Sequence, residues 1–492
     1  MNSSMIRVVL GHVLRIEALF LMLPCIVALI YGEENGLVYL EVAGICALVG
    51  VLMTIRKPKD SAIYLKEGCV ATALSWIFLS LFGALPFWMT GEIPSYVDAL
   101  FETISGFTTT GASILSDVEA LSKCSLFWRS FTHWVGGMGV LVFLLAVIPL
   151  SGGSNINLMR AESPGPSVGK LVPKIKSTAR ILYVIYFFMT IIEIILLLFG
   201  GMSLFEAVTL SFGSAGTGGF GIVNDSCASY SAYCQWIITI FMLLFGVNFN
   251  AYYLIILGKI KQAFSVEEVK WYVGIVVVAI ASISVNVYKI YGNLTDTVRI
   301  SAFQVASIMT TTGYSTVDFE LWPMTTKIIL VMLMFIGACA GSTAGGIKVS
   351  RIVIMFKTVK KELKTYIHPK SVKKILFEDK PVEHEVLRAI NVYLITYIII
   401  FFASLLFISF ENYDYTTTFT AVVATFNNIG PGLSLVGPTG NFGFFNDLSK
   451  IVLMIDMLAG RLELFPLLIL FTPQVLKDLL FGSFIKKVKT RR

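Results

Sequence analysis

The sequence is poor in charged residues. Only 14% of its 492 residues are charged, whereas soluble domains carry about 25%. Hydrophobic residues make up 56% of the chain, and the mean hydropathy is +0.80. A chain this apolar cannot cover its surface in water, so the composition excludes most soluble enzymes and nucleic-acid binders and indicates a polytopic membrane protein. We therefore attribute the net charge of +7 to membrane topology and expect no nucleic-acid partner.

The sequence also lacks the residue clusters that metal, redox and hydrolytic sites need. Its seven cysteines are scattered without a C-x-x-C pair, and only Cys227 and Cys234 lie close enough for a disulfide to be considered. The four histidines form no H-E-x-x-H motif. Since no nucleophile–histidine arrangement is found either, a membrane-embedded enzyme has no support, and we expect no organic cofactor. The first apolar stretch has no small-residue cleavage site, so we expect no cleavable signal peptide.

Ten segments are long and apolar enough to span a membrane, which takes about 20 residues. They lie near residues 8–31, 36–55, 69–90, 125–150, 179–200, 232–258, 271–291, 325–356, 387–410 and 448–472. If the N-terminus is cytoplasmic, 31 of the 38 Lys and Arg residues fall in the inner segments, six fall in the outer ones, and Arg461 lies inside a span. The positive-inside rule then predicts that both termini are cytoplasmic.

Four outer segments carry related strings centred on a glycine. The strings are Thr109-Thr110-Gly111-Ala112-Ser113, Thr217-Gly218-Gly219-Phe220-Gly221, Thr311-Thr312-Gly313-Tyr314-Ser315 and Asn428-Ile429-Gly430-Pro431-Gly432. Sixteen residues before these central glycines stand Ser95, Ser203, Thr297 and Asp414, which are all good helix N-caps. Asp98 and Glu206 follow two of the caps by three residues, as in a capping box. Each unit is therefore predicted to contain a span, a capped half-helix, a glycine turn and a second span.

A half-helix of about 12 residues is roughly 18 Å long and cannot cross a hydrocarbon core of about 30 Å. It must enter from outside and return, which is tolerated only in a protein-lined or water-filled cavity. Four half-helices would aim their partly negative ends at the membrane centre and favour a cation there. Glycine turns would let main-chain carbonyls replace an ion's hydration shell. Bare carbonyls suit a large monovalent cation, because divalent ions usually want carboxylates. An ordinary Thr/Gly loop is the alternative, and the fourfold recurrence argues against it.

The sequence resembles a known family, the Trk/Ktr/HKT superfamily of potassium transporters, and within it the TrkH-type membrane subunits. The matching stretches are residues 99–113 (ALFETISGFTTTGAS), 127–139 (FWRSFTHWVGGMG), 337–351 (GACAGSTAGGIKVSR), 427–432 (NNIGPG) and 460–463 (GRLE). The two additional N-terminal spans are similar to those of the TrkH branch.

The resemblance implies K⁺ permeation through one pore per subunit in a bacterial cytoplasmic (inner) membrane. It also implies a homodimer and a cytosolic TrkA-type regulatory ring that binds nucleotides, with membrane lipids around the chain. In plant HKT relatives a serine at the first filter glycine is associated with sodium transport, so Gly111 favours potassium. The fourth string departs from the pattern through Asn428, Ile429 and Pro431, so we expect weaker selectivity than in a channel with four identical strings. The expected K⁺ filter comprises Thr109, Thr110, Gly111, Thr217, Gly218, Gly219, Thr311, Thr312, Gly313, Asn428, Ile429 and Gly430.

Two features are candidate gates. Residues 337–346 are all small, and they follow only eight apolar residues, so they fall near mid-membrane. They form either an unwound loop that plugs the inner pore or a helix packed through tandem G-x-x-x-G. The resemblance favours the loop and makes Gly341, Gly345, Gly346 and Lys348 gating candidates.

Arg461 is the second candidate gate. A buried arginine in a span usually faces a cavity or a partner, and Asp456, Glu463 and Glu193 are candidate carboxylate partners. The alternative is a structural ion pair that snorkels to the cytoplasmic side, but the resemblance favours a constriction residue beside the loop.

Other polar residues are assigned simpler roles. We expect Glu17, His133 and Asn248 to be hydrogen-bonded packing groups inside their spans. The basic run from Lys357 to Lys380 is ordinarily a solvated loop, and its position after the candidate gate suggests a docking surface for the regulatory subunit.

The predicted fold is an all-α polytopic membrane protein with four pseudo-symmetric helix–pore-loop–helix repeats around a central ion pore, plus two extra N-terminal transmembrane helices. The predicted boundaries are 1–60 for the extra helix pair, then 61–160, 161–262, 263–365 and 366–492 for the four pore repeats, the last with the C-terminal tail. A channel-like K⁺ uptake protein is the leading hypothesis, and an H⁺- or Na⁺-coupled symporter is the alternative. Secondary transporters favour inverted repeats, whereas these four units share one orientation, which favours a pore.

Overall fold

The computed structural model describes residues 1–56, 58, 63–139, 175–369 and 374–478, with only the backbone described for 175–179. Almost all of the regular structure in these ranges is α-helical, as predicted, and a small hairpin pairs Leu376–Phe377 with Lys380–Pro381. The helices are α1 (Ser3–Tyr31), α2 (Gly36–Thr54), α3 (Leu65–Gly83), α4 (Leu85–Met89), α5 (Tyr96–Phe107), α6 (Lys123–Met138), α7 (Ile175–Phe199), α8 (Leu204–Gly216), α9 (Ala232–Phe245), α10 (Phe249–Ile256), α11 (Ile260–Ser265), α12 (Glu267–Tyr291), α13 (Leu294–Met309), α14 (Met324–Phe335), α15 (Val349–Ile367), α16 (His384–Ile408), α17 (Tyr415–Phe426), α18 (Asp447–Arg461) and α19 (Phe465–Leu470).

Six helices in the described ranges are long and apolar enough to cross a bilayer. They are α1, α2, the continuous stretch Leu65–Met89, Arg180–Phe199, α12 and the stretch His384–Glu411. Their outward faces carry large exposed apolar side chains, including Leu29, Phe199, Val285 and Leu406. Such faces are stable in lipid and would be unfavourable in water.

Three of the predicted spans are interrupted. Continuous helices were wrong for 232–258 and 448–472, whereas the break in 325–356 agrees with the unwound loop that the resemblance favoured. The span 232–258 bends by 92° between α9 and α10, where the side chain of Asn248 caps the second helix. The span 325–356 is non-helical from residue 336 to 348, where its glycines make a helix costly. The span 448–472 breaks between α18 and α19, where Glu463 and Leu464 have positive φ. The predicted span 125–150 lies partly outside the described residues, which here end at 139.

The predicted half-helices are α5, α8, α13 and α17, which we call pore helices 1 to 4. They contain 12, 13, 16 and 12 residues, so each is too short to cross a bilayer core of about 30 Å. Ser95, Ser203 and Asp414 cap helices 1, 2 and 4 through their side chains, as predicted. The third cap was wrong, because pore helix 3 begins at Leu294, three residues before Thr297, and is capped by Asn293.

Only one of the two predicted capping boxes is complete. Ser203 and Glu206 exchange both hydrogen bonds. Asp98 contributes its backbone N–H to Ser95, but its carboxylate pairs with Lys450 on α18. Asp98 therefore links the first unit to the fourth instead of completing a capping box with Ser95.

The N-terminal helix pair packs on the first unit. Glycines at the crossing of α1 and α2 allow close approach, since a Cβ on Gly11 or on Gly50 would lie 2.8 Å from the other residue's carbonyl oxygen. Together with α3 and α6, the pair encloses one side of the main core, which includes Val13, Trp76 and Trp128. Cys227 and Cys234 are both buried and are not bonded to each other, and all seven cysteines are free thiols.

Candidate ion pathway

The structure brings the four glycine-centred strings together in a closed ring. A Cβ placed on each central glycine would clash with the main chain of the next string around the ring: Gly111 with Gly218, Gly219 with Thr312, Gly313 with Ile429, and Gly430 with Thr110. Each string therefore abuts its neighbour so closely that only glycine fits at the contact. This closed order, from the first string to the fourth and back, is the geometry expected around an axis.

The four strings also share one backbone conformation. Residues two positions before the glycines have φ near +56° (Thr109 54°, Thr217 55°, Thr311 58°, Asn428 56°), and the glycines have φ of 79°, 79°, 87° and 99°. The intervening residues are not left-handed. Such alternation turns successive carbonyls toward the same side of the chain, as a ring of ion-coordinating oxygens requires. The fourth string adopts it as well, because asparagine tolerates the left-handed region.

Hydrogen bonds from the string amides to the pore helices hold this conformation. The residue before each glycine donates its N–H to a carbonyl five residues back, and all four of these bonds are 2.8 Å long: Thr110 to Ser105, Gly218 to Gly213, Thr312 to Ser307, and Ile429 to Ala424. These N–H groups therefore form their hydrogen bonds on the side of the strings that faces the pore helices. Their carbonyls remain available on the opposite side, next to the C-terminal, partly negative ends of the four pore helices.

Side chains brace the strings in different ways. Hydroxyl pairs connect Thr108 with Thr110 at 2.8 Å and Thr310 with Thr312 at 2.7 Å. In the fourth string the Asn428 amide donates to the Thr110 hydroxyl at 2.9 Å and to the Met457 carbonyl at 2.8 Å. The departure of this string from Thr-Thr-Gly therefore adds a link to the first string and leaves the backbone pattern intact.

A buried ion pair on the outer side of the ring was not predicted. Glu102 on pore helix 1 and Arg129 on α6 are in contact at 2.6 Å, and both are almost fully buried. Glu102 also accepts bonds from the hydroxyl of Ser113 and the N–H of Ile114. Arg129 donates to the Gly221 carbonyl at 2.7 Å, so the pair ties the end of the first string to the end of the second. The clustering of this acid and base with two strings was not visible in sequence, because they lie 27 residues apart.

A non-helical loop, residues 336–348, lies against the inner ends of the strings. Ile336 and Ile347 form an isolated bridge at its base, and Gly341 and Gly346 have φ of 71° and 67°. The N–H of Gly345 donates to the Thr311 hydroxyl at 2.7 Å, so the loop reaches the third string. The packed-helix interpretation with tandem G-x-x-x-G was therefore wrong, and the unwound loop is what the structure contains.

The first half of the loop is fastened to the bend between α9 and α10 and to α12, and α12 also holds the start of α15. The backbone N–H of Cys339 donates to the Gly246 carbonyl, and the backbone N–H of Phe249 donates to the Gly341 carbonyl, each at 3.1 Å. One oxygen of Glu268 accepts from the N–H groups of Ala340 at 2.7 Å and Ser350 at 3.0 Å. The sequence offered a weak signal for this residue, an acidic side chain at the very start of an apolar span.

Arg461 lies at the end of α18 and connects the loop to α6. Its guanidinium donates to the Thr343 carbonyl of the loop at 2.7 Å and to the Gly137 carbonyl at 2.7 Å, with a further bond to Gly136. The candidate carboxylates are engaged elsewhere: Glu463 pairs with Arg351, and Asp456 accepts from Ser404 at 2.7 Å. Glu193 is buried on α7. Arg461 thus contacts one carbonyl of the loop, that of Thr343, and two carbonyls of α6.

The remaining polar candidates have distinct surroundings. Lys348 is buried, and its ammonium group donates to the loop carbonyls of Ala344 and Gly345. Asn248 caps α10 and contacts Glu268, so it is the hydrogen-bonded group that we expected. The expectation failed for Glu17, whose two buried oxygens have no hydrogen-bond partner among the described residues.

Comparisons with known proteins agree on one family. The family model for TrkH, described as a cation transport protein, matches residues 38–478. The Trk system potassium uptake protein TrkH of Salmonella typhimurium is 36% identical over 462 residues, which cover 92% of this chain and 95% of the relative. Its counterpart from Escherichia coli K12 is 35% identical with the same coverage. The crystal structure of the potassium transporter TrkH from Vibrio parahaemolyticus superposes with a TM-score of 0.87 at 31% identity, over 96% of this chain and 100% of that one.

Proposed function

The chain belongs to the TrkH family of cation transport proteins, and from this membership we propose that it takes up potassium through a carbonyl-lined filter formed by its four strings. The relatives named above are potassium uptake proteins. The observation that carries the proposal is the closed ring of left-handed glycines, each in van der Waals contact with the next string. A family of transporters gives no reason to look for an enzyme.

The chemistry of the strings supports potassium as the cargo. None of the four strings contains a carboxylate, and the nearest one, Glu102, is neutralised by Arg129. Neutral oxygens compensate the small dehydration cost of K⁺ better than the larger cost of Na⁺ or of divalent ions. The filter then consists of the twelve string residues named above, with main-chain oxygens as ligands.

The loop 336–348 and Arg461 form the gate in this proposal. The loop lies on the inner side of the strings, and two basic side chains, Lys348 and Arg461, donate to its carbonyls. Fixed positive charge near the axis raises a barrier to cations in a low-dielectric setting. Opening therefore requires that the loop and the side chains of Lys348 and Arg461 leave the ion path, either together or separately.

A coupled symporter is the second candidate. One observation favours it: Glu17 is fully buried, and neither of its carboxyl oxygens has a hydrogen-bond partner among the described residues. Buried carboxyls in membrane proteins commonly take part in proton relays. The shared orientation of the four pore helices and strings favours the channel, because inverted repeats are usual in secondary transporters.

Partners and location extend the proposal. We place the chain in a bacterial inner membrane with both termini cytoplasmic, as a homodimer that binds a cytosolic TrkA-type nucleotide-binding ring. The basic run from Lys357 to Lys380 supports the docking of that ring, because α15 starts directly after the gate loop and carries exposed Lys360 and Lys364. A movement of α15 would therefore be transmitted to the loop.

The test is isotope flux in liposomes that contain the purified chain alone. We expect rubidium to enter along its own gradient and to outpace sodium. Imposed proton or sodium gradients should not drive rubidium uphill. Equal rates for rubidium and sodium would overturn the filter, and uphill rubidium accumulation driven by a proton or sodium gradient would establish the symporter instead.

A further inference from the structure

His133 is a fully buried residue of α6 that lies between pore helix 1 and the second string. Its Nδ1 is 2.8 Å from the Gly106 carbonyl oxygen, and the N–H of Phe220 points to its Nε2 at 3.2 Å. A carbonyl can only accept and a backbone N–H can only donate. The ring must therefore be neutral, with its proton on Nδ1 and a bare Nε2.

The second string lacks the two threonine side chains that brace the first and third strings from behind. Thr108 and Thr110, like Thr310 and Thr312, form hydroxyl pairs behind their strings. The equivalent residues of the second string are Gly216 and Gly218.

The imidazole of His133 occupies the space that the missing side chains leave. A Cβ on Gly218 would overlap the ring itself, and a Cβ on Gly216 would overlap the His133 backbone carbonyl. Gly218 does not have a left-handed φ, so its backbone conformation does not require glycine. Glycine is required because the imidazole ring of His133 fills the space that a side chain would need.

The hydrogen bond from Phe220 sets the direction of a filter carbonyl. In a trans peptide the N–H and C=O groups are coplanar and point in opposite directions. Because the Phe220 N–H points at His133, the carbonyl of Gly219 in the same peptide unit points away from α6. The fourth string cannot form such a bond, since Pro431 at the equivalent position has no N–H.

The surroundings of Phe220 keep this arrangement in place. Its ring contacts the imidazole with the centroids 4.2 Å apart, and the Arg129 guanidinium lies 3.5 Å from the centre of the Phe220 ring. Phe220 is 1% exposed. The residue after the filter glycine is thus held through both its main chain and its side chain.

We propose that His133 is the positioning residue of the second filter string, replacing the threonine pair of the first and third strings and aiming the Gly219 carbonyl at the permeating ion. The inference rests on the proposed function, because it assumes that the strings form the selectivity filter. It assigns His133 an effect on ion preference, whereas an ordinary packing residue would affect only the amount of folded protein.

Two matched substitutions separate the hydrogen bonds from the ring volume. His133→Leu keeps apolar volume and removes both bonds, whereas His133→Gln keeps one donor and one acceptor. The readout is the rubidium-to-sodium flux ratio of purified, monodisperse protein in liposomes. We expect Leu to lower the ratio by roughly tenfold, the factor that corresponds to about 1.4 kcal/mol, and Gln to retain more of it than Leu. A parental ratio in folded His133→Leu would overturn the proposal.

A second variant covers the case in which His133→Leu does not fold. Gly218→Ala pushes the ring away from its position without removing it, so it should lower the same ratio, and an unchanged ratio would again overturn the proposal. Gly111→Ser serves as the reference for the filter itself. If the parent has no rubidium preference, or if Gly111→Ser leaves it unchanged, the proposed function fails. If Gly111→Ser changes the ratio and the His133 and Gly218 variants do not, only this inference fails.

Discussion

Replacing Gly313 by serine tests the filter most directly. Gly313 has φ of +87°, and a Cβ at this position would collide with the carbonyl oxygen of Ile429 in the fourth string. The backbone conformation costs a residue with a side chain about 1–2 kcal/mol. Relief of the collision requires the Ile429 carbonyl to rotate or the ring to widen, and overpacking of this kind typically costs about 1–3 kcal/mol.

These two costs sum to about 2–5 kcal/mol, and only the part that moves the Ile429 carbonyl acts on the ion. If that part is about 1.4 kcal/mol, the preference for rubidium over sodium falls about tenfold. Potassium-like ions lose most, because they depend on the full set of carbonyls to replace water. A sodium ion that stays partly hydrated tolerates a wider ring.

Gly292→Ser is the matched control. Gly292 ends α12 in the same unit with φ of +65°, and a Cβ there would meet no atom within 4 Å. It carries the same backbone strain without a contact to any string, so its flux ratio should equal the parental one. The reasoning is refuted if Gly313→Ser, purified in folded form, keeps the parental rubidium-to-sodium ratio. It is equally refuted if Gly292→Ser lowers the ratio as much, because strain alone would then explain the effect.

Three further predictions concern the gate and its control. Arg461→Ala removes the bonds to Thr343 and Gly137, so basal rubidium flux without any partner protein should rise about tenfold or more, and an unchanged flux would exclude Arg461 from the barrier. Glu268→Ala should raise basal flux as well, because it removes the acceptor for the N–H groups of Ala340 and Ser350. Glu268→Gln should raise the flux less, since the glutamine side-chain carbonyl can still accept from both. Equal effects of the two substitutions would contradict the role of Glu268 in anchoring the loop. Replacing Lys360, Lys361 and Lys364 by serine should weaken co-purification with a TrkA-type ring and leave the ion ratio unchanged, and full recovery of the complex would refute the docking surface.

The pore helices and strings were predictable because their signals are local. A serine or aspartate cap acts within three residues of itself, and a glycine that needs positive φ marks its own turn. Asn428 illustrates the same rule, because it occupies the left-handed position of the fourth string in place of threonine and keeps the backbone unchanged. The prediction of Thr297 as a cap was wrong for a local reason too, because Asn293 is an equally good cap one turn earlier.

The broken spans could not be read from hydropathy. Leu464 interrupts its span with φ of 70°, and Val247 lies at the bend between α9 and α10; both are apolar, so a hydropathy window passes over them. The cause lies in distant contacts. The loop residue Gly341 accepts a bond from Phe249, the first residue of α10, although the two are far apart in sequence.

The most informative contacts that the sequence did not reveal join polar groups to partners far away in the chain. Glu268 bonds Ala340, 72 residues away, and His133 bonds Phe220, 87 residues away. His133 is hydrogen-bonded, as we expected, but nothing near it in the chain identifies its partners. The available signal was indirect: Gly218 stands where the first and third strings carry threonine, and a missing side chain leaves space that another residue must fill.

The contacts of the loop constrain how it can open. Lys348 is part of the chain that continues into α15, so its bonds to Ala344 and Gly345 can move with the loop. Arg461 belongs to α18 and also donates to Gly137 on α6, so its bonds to α6 do not depend on the loop. In the proposed mechanism, opening therefore breaks the contact of Arg461 with Thr343 and the contact of Gly345 with Thr311. The second break removes a donor from the Thr311 hydroxyl, so we expect that a movement of the loop also changes the hydrogen bonding of the third string.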